Sequence, residues 1–196
     1  MSENYVITIS REFCSMGRSI AREMSELLGI EFYDRDIVEE SAKRMNLTVP
    51  VVSDAEERAS FYSRRFPLGN VTTELQDKIF IAQQEIIKEL ASKGSCIIVG
   101  RCADSLFRDY PRHINIYIYT SYENKYNNCI TRFGMTPKEA KTSIKEVDEA
   151  RKAFHKRYAK YEADDVHYKD IAIDSSLLGI DGTAKFLVEL VKYKFL

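Results

Sequence analysis

No run of 18 apolar residues occurs anywhere in this 196-residue sequence, so a membrane-spanning helix is excluded. The first residues, MSENYVITIS, lack a basic segment leading into a long apolar stretch, and no export signal is expected. The four cysteines, Cys14, Cys96, Cys102 and Cys129, form no C-x-x-C pair and have no histidine at zinc spacing. That is the pattern of reduced thiols in a cytoplasmic protein, not of a disulfide framework or a zinc site. Net charge is nearly absent too, at −1, which gives the chain as a whole no electrostatic pull on a nucleic-acid polymer. Repeats and low-complexity segments are also missing.

What is present suits one well-buried domain. Hydrophobic residues make up 44% and charged residues 30%, over a length that allows a single core with a small inserted lid. Charge is unevenly spread, however. Residues 138–160 hold eight Lys and Arg against four Asp and Glu inside an otherwise acidic chain, which points to a local anionic ligand.

Periodicity lays out alternating strands and helices. Asn4 to Ser10 reads as a strand, and Ile20, Met24, Leu27 and Leu28, stopped by Gly29, give a helix over about 17–28. Glu31 to Tyr33 is a short strand. Residues 37–93 read as helices broken by a polar loop near 63–73, where Pro67, Gly69 and Asn70 cluster. Cys96 to Val99 and Ile114 to Tyr119 are continuously apolar, as strands buried on both faces of a parallel sheet are. A helix follows over about 121–133, and then a long basic helix starts at Thr136 and Pro137 and carries Ala140, Ile144, Val147, Phe154, Tyr158 and Tyr161. A strand at Asp170 to Asp174 and a helix at Asp181 to Tyr193 complete an α/β pattern with a parallel sheet.

Three segments carry candidate chemistry. The first is SREFCSMGRS, residues 10–19, a small-residue turn between a strand and a helix, which is how a phosphate-binding P-loop is laid out. Gly17 lets the backbone approach phosphate oxygens, Ser19 stands where a Mg²⁺-holding hydroxyl belongs, and Arg18 stands in place of the usual lysine. Glu12 occupies the first glycine position, and the same residues also suit a plain turn with an N-cap. The second is CIIVGRCAD, residues 96–104, which puts Arg101 and Asp104 just beyond a buried strand. Arg101 suits a phosphate clamp and Asp104 a partner for a base amino group, or the two suit a surface pair. The third is the basic helix, where Asp148, Arg151 and Arg157 make either a closing lid or a solvated face. His113, His155 and His167 are scattered, with no role assigned.

Taken in order, ITISREFCSMGRSIA, GIEFYDRDIV, IIVGRCAD, DEARKAFHKRYAKY and IAIDSSLLGID resemble the cytidylate kinase-like family, relatives of the P-loop nucleoside monophosphate kinases. The resemblance implies a three-layer α/β P-loop NTPase fold with a five-stranded parallel sheet. It also implies a single kinase-like domain over 1–196, with a monophosphate-binding insertion at about 34–93 and a lid at about 132–162. It makes Cys14, Ser15, Met16, Gly17, Arg18 and Ser19, with Arg132, the ATP site. Asp34, Arg35, Arg101 and Asp104 become the monophosphate site, and Arg18, Arg151 and Arg157 the residues acting on the transferring group. Mg²⁺ bound at Ser19 and ATP are the implied cofactor and donor, and CMP or dCMP the favoured acceptor.

The loop departs from the family pattern at Glu12, Cys14, Met16 and Arg18, and Cys102 and Ala103 separate Arg101 from Asp104. Glu12 is compatible with bound phosphates only if it turns outward or pairs with a lid arginine. These departures keep two alternatives open: a nucleotide-binding regulatory protein with weak turnover, and a kinase for another small acceptor.

Overall fold

The computed structural model describes residues 4–56 and 73–196. Val6–Arg11 (β1) lies at the centre of the sheet, between Cys96–Val99 (β3) and His113–Tyr119 (β4). Glu31–Tyr33 (β2) and Ile171–Asp174 (β5) form the two edges. The order is β2-β3-β1-β4-β5, and every pairing is parallel. In this register Ile9 lies between Val99 and Ile116, and Arg11 stands opposite Ile118. The carboxyl ends of β1, β3 and β4 therefore open on one edge, where ligands bind in sheets of this kind.

Eight α-helices occur among the described residues: Gly17–Leu28 (α1), Arg35–Met45 (α2), Val49–Glu56 (α3), Thr73–Lys93 (α4), Ala103–Leu106 (α5), Tyr122–Thr131 (α6), Pro137–Ala159 (α7) and Gly179–Phe195 (α8). The polar loop expected near 63–73 falls outside the described residues up to position 72.

Three layers follow from the alternation along the strands. On one face, Ile7, Ile9, Ile97, Ile116 and Ile118 pack with Ile20 and Met24 of α1 and with Leu187 and Val191 of α8. On the other, Val6, Cys96 and Ile98 pack with Ile37 of α2 and with Ile86 and Ile87 of α4. Burial of each such side chain is worth about 1.5–3 kcal/mol, which is why the strands read as continuous apolar runs.

Helix α7 starts where Thr136 and Pro137 suggest, with a full capping box between Thr136 and Glu139. It ends at Ala159, earlier than its apolar spacing implies, because Lys160 takes a left-handed φ of 70° as C-cap and turns Tyr161 back into the core. Its N-terminal half packs Ala140 and Ile144 against Cys14 and Cys129, beside the loop after β1. Its C-terminal half reaches α4, where Tyr158 stacks on Phe80 with ring centroids 4.0 Å apart.

Candidate functional site

The chain leaves β1 at Arg11 and enters α1 at Gly17. Between them Cys14 and Met16 hold left-handed φ values of 54° and 62°, a region that favours glycine and costs other residues about 1–3 kcal/mol each. The surroundings fix this path. Ser15 Oγ donates to the carbonyls of Glu12 (3.0 Å) and Ile118 (3.1 Å), and Asn128 Nδ2 donates to the carbonyl of Cys14 (2.9 Å). The Phe13 amide donates to Asp148 Oδ1 at 2.6 Å. So the loop holds this course although Cys14 and Met16, not glycines, stand at its left-handed positions. No side chain caps α1, and its first turn holds no acid, which leaves its N–H groups and positive dipole end to an anion.

Glu12 meets its charge elsewhere. Its Oε2 accepts from the Thr120 amide at 3.3 Å and pairs with Lys125 Nζ at 2.9 Å. Lys125 also pairs with Asp148 Oδ2 at 2.9 Å. Burial alone would lower the Lys125 pKa, but the two carboxylates outweigh it and raise it above its ordinary value. The expected partner, a lid arginine, is thus replaced by a lysine of α6.

Three guanidiniums converge on Asp34, the N-terminal boundary residue of α2. Arg101 Nη1 reaches Asp34 Oδ1 at 3.0 Å, and Arg18 Nε reaches Oδ2 at 2.7 Å. Arg11 acts on the same carboxylate through its charge. Burial would raise the Asp34 pKa, yet Arg11, Arg101 and Arg18 together hold it below the ordinary value. Arg101 is fixed at both ends: Nη1 also donates to the Val99 carbonyl at 2.9 Å, and its own carbonyl accepts from Gln84 Nε2 at 3.0 Å. Its φ of 56°, between Gly100 at 77° and Cys102 at 52°, is a second strained stretch at the same edge of the sheet.

These groups line a cavity of about 810 Å³, within the 300–1,000 Å³ usual for ligand sites. Its described lining includes six arginines, Arg11, Arg18, Arg22, Arg35, Arg101 and Arg151, against four carboxylates, Glu12, Glu23, Asp34 and Glu39. The balance favours an anionic ligand.

The cavity gathers most of the residues expected from sequence: Cys14, Met16, Gly17, Arg18, Ser19, Asp34, Arg35, Arg101 and Arg151. Ser15 is fully buried and serves the loop itself. Asp104 is elsewhere. Its side chain is 1% exposed, and its oxygens accept from His155 Nε2 (2.9 Å), Tyr161 (2.8 Å) and Lys169 (2.7 Å). Burial alone would raise the Asp104 pKa, but hydrogen bonds and charges from His155 and Lys169 hold it well below the ordinary value. With both oxygens committed to protein groups, it anchors the end of α7 and does not face a nucleobase. Arg157 points to α4, where Nη2 meets Asp77 at 2.7 Å, and Arg132 is exposed; neither lines the cavity. Arg11, Lys125 and His155 have site or anchoring roles that local pattern does not single out. Only Arg11 carries a signal, its place at the carboxyl end of the first strand.

The model of the cytidylate kinase-like family matches residues 6–177. The chain belongs to that family. This cytidylate kinase-like protein is similar to the crystal structure of an uncharacterized protein from Eubacterium ventriosum, with a TM-score of 0.74 and 25% identity over 96% of this chain and 99% of that one. It is also similar to a shikimate kinase from Acinetobacter baumannii in complex with shikimate (TM-score 0.58, 15% identity, 98% and 96% covered). A gluconokinase from Sinorhizobium meliloti matches with a TM-score of 0.52 and 12% identity, over 99% of both chains. The last two show the fold, that of P-loop kinases. No curated protein matches the chain.

Proposed function

We propose that this member of the cytidylate kinase-like family transfers the γ-phosphoryl group of ATP, with Mg²⁺, to a nucleoside monophosphate, CMP or dCMP being favoured. The observation that carries this reading is the convergence of Arg101, Arg18 and Arg11 on the single carboxylate of Asp34, beside the uncapped start of α1. Such transfer needs little covalent help, so positioned cations and backbone amides suffice.

The loop from Cys14 to Ser19 takes the donor phosphates, and Asp34, Arg35 and Arg101 the acceptor. Residues of about 34–93 form the acceptor region and those of about 132–162 the lid, from which Arg151 reaches the cavity. Ser19, on the cavity wall, suits Mg²⁺, which binds through few protein oxygens, waters and substrate phosphates; no cluster of metal-binding side chains occurs among the described residues. When bound, the ion would neutralise charge on the phosphates. Arg18 and Arg151 stabilise the charge that builds on the transferring group.

One observation favours a second reading, a nucleotide-binding protein with weak turnover: Arg18 is engaged by Asp34 and is not free to meet a γ-phosphate without leaving it. A coupled ADP-release assay across the common nucleoside monophosphates decides. Transfer to CMP or dCMP above the others supports the kinase. Clear ATP binding with background transfer to every monophosphate and to a wider set of hydroxyl acceptors selects the regulatory reading.

A further inference from the structure

Building on the kinase reading above, we propose that Arg11 is the cation at the point of phosphoryl transfer, and that a small cavity beside it seats a phosphoryl-sized anion. Arg11 is the last residue of the central strand, and it lines both the large cavity and a second one of about 70 Å³. The smaller cavity lies between the ends of β1 and β3 and helix α7. Arg11, Arg101, Arg151 and His155 line it, and no carboxylate does among the described residues. This space has room for a small group of phosphoryl size. Three arginines and a histidine in the lining, with no carboxylate beside them among the described residues, favour an anionic occupant.

The course of Arg11 is set by two glycines from different parts of the chain. A Cβ on Gly17 would stand 2.7 Å from Arg11 Cβ, and one on Gly100 would overlap Arg11 Nη1. The start of α1 and the end of β3 thus both give way to this one side chain. Arg18, by contrast, lies at the rim, 45% exposed, with its Nε on Asp34.

The position of Arg11 between the two cavities fits the step itself. An anionic oxygen of the acceptor phosphate forms a bond to the γ-phosphorus, and the bond from that phosphorus to the β,γ-bridging oxygen breaks. The electron pair leaves with ADP, and neither a proton nor a redox partner is needed. A guanidinium between donor and acceptor stabilises the charge on the group in flight, the part that the P-loop lysine plays elsewhere.

The test is calorimetric titration of the wild type, Arg11→Met and Arg18→Met with inorganic tripolyphosphate, alongside Mg·ATP. Loss of about tenfold or more in tripolyphosphate affinity for Arg11→Met, larger than the loss for Arg18→Met, supports the assignment. Wild-type affinity in Arg11→Met, while the wild type binds well, overturns it and leaves the kinase reading intact. A wild type that binds neither tripolyphosphate nor Mg·ATP overturns both. Should Arg11→Met not fold, phenylglyoxal labelling of the wild type, mapped by mass spectrometry, decides instead. Slower labelling of Arg11 with tripolyphosphate present supports the assignment, and protection of Arg18 without Arg11 overturns it.

Discussion

Asp34 and Arg101 are 67 residues apart in sequence and 3.0 Å apart in space, Oδ1 against Nη1, with both side chains under a tenth exposed. Each follows a strand of the same sheet, β2 for Asp34 and β3 for Arg101, and β2 pairs with β3. Strand pairing therefore builds the wall of the cavity before any ligand arrives, and a positioned cation costs less to use than one that must be ordered on binding.

Arg101→Ala removes a charge-assisted clamp on the acceptor side. Monophosphate binding should weaken by about 1.5–3 kcal/mol, the range for hydrogen bonds to charged groups, with a much smaller effect on ATP. Titration calorimetry with both nucleotides measures the split. Equal weakening of the two would remove the distinction between donor and acceptor sides.

Asp104→Asn leaves the Lys169 ammonium buried, its side chain 1% exposed, without a full counter-charge. Unfolding free energy should drop by about 3–5 kcal/mol, as for other broken buried pairs. Denaturant titration gives the value, and a loss below about 1 kcal/mol would contradict the anchoring role.

Lys125→Met leaves the carboxylates of Glu12 and Asp148 without the ammonium they share. The expected cost is about 2–4 kcal/mol, somewhat less than for a fully buried pair. Hydrogen exchange at the Phe13 amide, bonded to Asp148, should speed up in this variant. An unchanged rate there would show that the loop and α7 hold together by other means.

Acid stability should carry the mark of His113, which is buried and bonded through Nε2 to Thr8 Oγ1 at 2.7 Å. Burial lowers its pKa to about 4, outweighing Asp170 and Asp104, which raise it. Between roughly pH 6.5 and 4 the unfolded chain takes up a proton that the folded chain refuses, so stability falls as pH falls across that window. The loss approaches ~3 kcal/mol below the folded pKa. Asp104, held low, adds its own loss only at more acid pH, below the ordinary carboxylate value. In His113→Gln, chemical denaturation at pH 7, 6, 5 and 4 should show a flatter profile; an unchanged slope would locate the sensitivity elsewhere.

The fold was largely legible because its signals are local. Ile97, Ile98, Ile114, Ile116 and Ile118 report strands buried on both faces, and Thr136 with Glu139 reports a helix start. The site was legible only in part. Arg18, Arg101 and Arg151 stand out by motif, but the pairings Lys125 with Glu12 and Asp104 with Lys169 join residues far apart in sequence, and no periodicity announces them. Asp104 misleads for the same reason: its spacing after Arg101 suits a ligand, while its partners come from the end of α7 and the approach to β5. Cys14 and Met16 hide the loop because side chains at left-handed positions look locally wrong, and only the surrounding hydrogen bonds hold them there.

The threading of Arg11 between Gly17 and Gly100 also bears on how such sequences can drift. The three positions are not independent: a side chain gained at position 100 would strike the guanidinium, and one gained at 17 its stem. Replacement of either glycine should be poorly tolerated while arginine stands at 11, and a shorter residue there relieves only part of the constraint: the clash at 17 is with a Cβ that every residue except glycine carries, and position 100 keeps its left-handed φ of 77°. A lineage that keeps arginine at 11 is therefore committed to both glycines.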